Sequence, residues 1–108
     1  MLAFGSDLPV DVLDPMVGIR AAVWRDDNSE GSGWYPEERL SVHEAVKAYT
    51  WGSAYAIGEE DRLGTLAPGK LADFTVFSGD IMAGDISEDC EVIMTVVGGR
   101  VVYPSEGR

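Results

Sequence analysis

The chain opens on Met1-Leu2-Ala3-Phe4, an apolar run that stops abruptly at Gly5-Ser6-Asp7-Leu8-Pro9. This is the pattern of the tail of a buried strand running into a loop. A buried strand needs neighbours on both sides to satisfy its backbone groups. Yet 108 residues hold only one domain, against about 250 for a complete (β/α)8 barrel. The chain is therefore expected to carry a piece of a larger sheet, cut inside an element.

Downstream the pattern changes twice. Met16, Ile19, Val23 and Trp24 recur at helical spacing behind Asp14, a candidate N-cap, and Pro15, which a first turn tolerates. A helix is predicted over 15–24. Residues 25–39 are polar and rich in Gly and Pro, and Trp34, Tyr35 and Pro36 within them are expected to pin this long loop to the body rather than wall a pocket. Ser41-Val42-His43-Glu44 has the form of a capping box. The stripe Val42, Ala45, Val46, Tyr49 then predicts a second helix, continuing or restarting around Gly52 and stopping at Gly58.

From residue 59 onward the pattern is β. Pro68-Gly69 suits the centre of a type II turn, with short strands expected on either side. Phe74–Phe77 is β-rich, residues 78–91 are expected to be a polar, acidic loop, and Val92–Val97, Gly98-Gly99, Arg100–Tyr103 predicts a hairpin. No internal repeat or low-complexity tract interrupts the chain.

Eight Lys and Arg stand against nineteen Asp and Glu, a formal charge of -11. Such a field repels phosphate backbones and anionic headgroups, so neither nucleic acid nor a membrane surface is an expected partner. A DNA-acting regulator is opposed on the same ground. No apolar run approaches the roughly 18 residues of a membrane span, and no basic n-region follows Met1. The single cysteine, Cys90, excludes an intrachain disulfide and suits a reducing cytoplasm.

Few side chains invite chemistry. Asp7 stands just beyond a strand-like run, where barrel enzymes place reacting groups, although a carboxylate beside Ser6 and Pro9 also serves simply to cap a turn. His43, the one histidine, is expected to face solvent near a helix start; a closed zinc site needs ligands the chain does not supply. Cys90, flanked by Glu88, Asp89 and Glu91, sits in surroundings unsuited to a thiolate nucleophile. Ser6 and Ser53 lack a nucleophile elbow and a second histidine. Glu59-Glu60-Asp61 lacks the alternating oxygens of a calcium loop and is expected to be a solvated helix end. Gly98-Gly99 has no lysine or helix after it, so it is no phosphate cradle.

Two spaced motifs carry more. Gly64-x-Leu66-x-x-Gly69-Lys70-x-Ala72-Asp73-Phe74-x-Val76 and Val96-x-Gly98-Gly99-x-Val101-Val102-Tyr103 resemble the C-terminal signature of the amidohydrolase superfamily. Phe4-Gly5-Ser6-Asp7-x-Pro9, Gly33-Trp34-x-Pro36-x-x-Arg39-Leu40-Ser41 and Ala48-Tyr49-Thr50 are similar to its amidohydrolase-3 branch, often labelled exoenzyme regulatory protein or predicted metal-dependent hydrolase.

The resemblance implies an α+β fragment. Residues 1–58 would be the last strand and helices of a (β/α)8 barrel, and 59–108 the C-terminal strands of a small composite β-sandwich. It implies hydrolysis of amide or related C–N bonds in a small-molecule substrate, with zinc or another divalent metal as cofactor of the full-length enzyme. Asp7 matches the aspartate after the eighth barrel strand, which ligates the metal or takes a proton from its water. Asp73 matches a position where a sandwich strand starts, a structural role. The family's His-x-His pair, its bridging lysine or glutamate and its two later histidines have no counterpart, and His43 matches none of them. The 108 residues alone are thus expected to hold no metal and to be catalytically silent. The alternative is a non-catalytic binding or assembly module, forming a homodimer through exposed strand edges.

Overall fold

The computed structural model describes residues 1–25 and 35–105. Helix α1, Pro15–Trp24, begins as its sequence predicts: the Asp14 carboxylate accepts from the backbone N–H of Met16 at 2.9 Å, and Pro15 fills the first turn. It ends at Arg25, whose φ of 58° stops the helix. Helix α2, Val42–Lys47, carries the full capping box, with Glu44 N–H donating to Ser41 Oγ at 3.1 Å and Ser41 N–H donating to Glu44 Oε2 at 2.8 Å.

After α2 the helical run neither stops nor continues regularly. It widens into a π-type turn over Ala48–Gly52 and resumes as α3, Ser53–Ala56. Gly58, with φ 73°, closes it: its N–H donates to Tyr55 O while Glu59 N–H donates to Ala54 O, the double bond pattern of a Schellman cap.

The β half is a three-stranded antiparallel sheet in the order β1 (Phe74–Phe77), β2 (Val92–Val97), β3 (Arg100–Tyr103). Phe74 pairs with Val96 and Val97 with Arg100, with a register shift in each pair of strands. Gly98 and Gly99 take φ of 57° and 79°, which the two-residue turn demands and which side chains resist. The Pro68-Gly69 turn forms as predicted, with Lys70 N–H donating to Ala67 O at 3.1 Å and Gly69 at φ 88°.

Three expectations are corrected. Met1–Phe4 is not in a strand, because the described chain offers it a helix rather than a sheet edge to dock on. No strands flank the Pro68-Gly69 turn; the chain there is tied back by Leu71 N–H donating to Arg62 O. The 78–91 loop is not merely polar, since Ile86 and Cys90 within it are buried.

The core joins both halves. Met16 and Ile19 of α1, Ala45 of α2 and Ile86 form one buried cluster, with Phe4, Val46, Tyr49 and Phe77 packed around it. Full burial of a Met or Ile side chain contributes about 1.5–3 kcal/mol. No helix among the described residues is long and apolar enough to cross a membrane.

Candidate functional site

Asp7 is placed from two directions. Upstream, the Phe4 peptide docks on the widened turn: Phe4 N–H donates to Ala48 O at 3.0 Å, and the Ser53 hydroxyl donates to Phe4 O at 2.6 Å. Downstream, the Asp7 carbonyl accepts from Val10 N–H at 2.7 Å and Asp11 N–H at 3.3 Å, closing a turn. Asp7 itself takes φ 56°, a left-handed conformation that is uncommon for a residue other than glycine. Its side chain is exposed.

Beside this turn lies Tyr49. Its ring meets Phe4 edge-on, with centroids 5.3 Å apart and planes at 76°. The hydroxyl lies against α1 where Gly18 has no side chain; a Cβ there would fall 1.9 Å from Tyr49 Oη. Burial pushes the Tyr49 phenol up from its ordinary value, and the carboxylates of Asp11 and Asp14 add to that, so the hydroxyl stays protonated at neutral pH. A raised phenol pKa favours folding below the ordinary value of 10.0, and that contribution is lost as pH climbs through the folded value.

The other candidates do not gather around Asp7. His43 is exposed in the first turn of α2, as expected. Cys90 is buried beside an open recess of about 470 Å³ whose lining includes Arg20, Glu88 and Glu91 but not Asp7. Trp34 lies outside the described residues, while Tyr35 and Pro36 are exposed. The acidic cluster is only partly solvated: Glu59 accepts from Arg62 at 3.0 Å, and one Glu60 carboxylate oxygen is enclosed with no hydrogen-bond partner among the described residues. Asp73 has the structural role foreseen, since its carboxylate accepts from Gly98 N–H at 2.7 Å at the hairpin tip.

Among the described residues no group of three or more His, Cys, Asp or Glu could hold a metal ion. Zinc takes four donors, and Asp7 offers one carboxylate, so these residues do not fit a metal centre of their own. Sequence reasoning missed Tyr49 and Ser53 as the residues that hold Phe4, three positions before Asp7. The signal available was the Gly52-Ser53 pair inside an apolar-striped helix, a combination that bends helices.

The pattern of the amidohydrolase family matches residues 1–103. YtcJ of Bacillus subtilis (strain 168), provisionally named an amidohydrolase, is 43% identical over 107 residues, covering 95% of this chain and 20% of that protein. Protein LONG AFTER FAR-RED 3 of Arabidopsis thaliana is 41% identical, over 96% of this chain and 18% of its own length. N-substituted formamide deformylase of Arthrobacter pascens is 28% identical, over 98% of this chain and 20% of its own. The chain thus spans about one-fifth of the length of these curated relatives. No solved structure matches it.

Proposed function

The chain belongs to the amidohydrolase family, and from that premise we propose that it is the C-terminal part of a metal-dependent enzyme hydrolysing amide or related C–N bonds in a small molecule. In this reading residues 1–58 are the end of the barrel and 59–108 the last strands of a composite β-sandwich. Asp7 is the carboxylate that this part contributes to the reaction centre. As a general base it accepts a proton from the attacking water and returns it to the leaving amine. The divalent metal, its remaining donors and the substrate walls belong to polypeptide beyond these residues, so the isolated chain has no turnover. A single buried thiol suits work in the cytoplasm.

The observation that carries this reading is the left-handed Asp7 at the tip of a docked segment, within a family match that includes it. Non-glycine residues held in such conformations cluster at functional sites. The test is a chimera in which this chain replaces the corresponding C-terminal fifth of the Arthrobacter pascens deformylase. The chimera should hydrolyse N-substituted formamides, and Asp7→Asn should lower kcat by about 10²–10⁴-fold. An Asp7→Asn chimera as active as its parent would overturn the assignment.

A second reading, a non-catalytic binding or assembly module, is favoured by one feature. Every residue of β3 is exposed, with Val101, Val102 and Tyr103 each about half accessible, and no strand among the described residues pairs with its outer edge. Such an edge suits pairing with a second copy. The same chimera separates the readings, because a module gives no reason for Asp7→Asn to slow turnover.

A further inference from the structure

The geometry points to Ser53, with the wide turn Ala48–Gly52, as the group that positions Asp7. This rests on the reading of Asp7 as the reacting carboxylate, whereas the structural part of its test does not.

The Asp7 side chain is exposed, and its place is set by the backbone on either side. Upstream, both polar groups of Phe4 are held by the helix: its N–H by Ala48 O at 3.0 Å and its C=O by Ser53 Oγ at 2.6 Å. Only Gly5 and Ser6 separate Phe4 from Asp7, and at no more than about 3.6 Å per residue they tether Asp7 within about 11 Å of the Phe4 dock.

The widening of the helix makes this dock available. In a regular helix a carbonyl is taken by the N–H four residues on; in a π-type turn the pairing shifts and the backbone opens. Here Ala48 O accepts from Phe4 N–H and also lies 2.9 Å from Ser53 Oγ. The one hydroxyl proton of Ser53 therefore links the turn to a peptide 49 positions away. Gly52 completes the fit, since a Cβ at that position would fall 2.1 Å from the carbonyl oxygen of Leu2, a backbone atom that cannot swing aside. A serine serving only its own helix would need no partner at Phe4 and no bare Gly52 beside it.

The test is NMR of the 108-residue chain, reading amide exchange at Phe4 and the amide and carboxylate-carbon resonances of Asp7. In the unsubstituted chain the Phe4 amide should be protected. Ser53→Ala should speed its exchange about fivefold and move the Asp7 resonances, while Ile19 in α1 keeps its protection. Ser53→Thr, which retains the hydroxyl, should restore both readouts. Gly52→Ala should move Asp7 by displacing Leu2 with Ser53 intact. A Phe4 amide that exchanges freely in the unsubstituted chain overturns the proposal whether or not the variants fold; so do Asp7 resonances unmoved in folded Ser53→Ala and Gly52→Ala. In the deformylase chimera Ser53→Ala should lower kcat with little change in KM. If Asp7→Asn proves harmless there while the NMR shifts appear, the catalytic reading fails and the positioning of Asp7 stands.

Discussion

Between α1 and α3 the fully buried positions include Ala45, Ala48, Gly52 and Ala54, whereas within the three strands only Val96 is buried. Small side chains let backbones approach, and the helical half uses that closeness twice: Tyr49 lies across Gly18, and the Leu2 carbonyl passes over Gly52. Among the described residues the sheet has less cover, with only Val96 buried and Phe77 packed against the cluster. It is held by its hydrogen-bond ladder and by the tie at the hairpin tip, where Asp73 receives Gly98 N–H and Ala72 O receives Gly99 N–H. The helical half therefore leans more on packing and the sheet more on directed polar bonds. They meet at Ile86, which hangs from the β1–β2 connection into the cluster of Met16, Ile19 and Ala45.

Ile86→Ala tests that junction and should have the largest effect. Removing a side chain that is 2% exposed leaves a cavity, at about 2–5 kcal/mol. If the halves form one cooperative unit, urea unfolding followed by helical circular dichroism and by amide exchange in β2 should shift together. Separate transitions would show two independently melting halves.

Asp73→Ala should cost less and stay local. The bond it removes is worth about 1 kcal/mol, and exchange should quicken at Gly98 while α1 is unaffected. A loss as large as that of Ile86→Ala would mean that the polar tie supports the whole molecule and not the hairpin tip alone.

The smallest effect is confined to acid. The Glu44 carboxyl is held below its ordinary value of 4.5, first by the Ser41 backbone N–H and then by the Ser41 hydroxyl. A depressed carboxyl pKa favours folding, in full above about 4.5, and that contribution disappears as pH falls through the folded value. Helicity of α2 should thus fray on acidification, and Glu44→Gln should remove that step and leave sheet resonances untouched. A Glu44→Gln chain with the same acid titration as its parent would show that the step belongs to another carboxyl.

Features set by near neighbours were legible in the sequence. Asp14 and Ser41 cap as predicted, because a cap needs only residues two or three positions away. The Gly98-Gly99 hairpin, the Pro68-Gly69 turn and the structural role of Asp73 follow from local conformational demands and from a family motif. Long-range choices were not legible. Met1–Phe4 has the composition of a strand, but composition does not say whether a sheet or a helix receives it. Ile86 and Cys90 lie in a polar stretch whose average conceals two buried side chains. At the site, Asp7 was visible as a loop carboxylate. Its dependence on Ser53 spans nearly half the chain and shows no periodicity to read.

The lone sulfur of Cys90 gives the molecule a built-in clock. It is 6% exposed, in the connection that also holds Ile86, and its Sγ lies within 3.4 Å of where a Cβ on Gly79 would stand. Cys90 also lines the open recess beside Arg20 and Val92, so with no competing cysteine the rate at which a thiol-specific dye colours reports how far that connection moves from its packed position, without an added label.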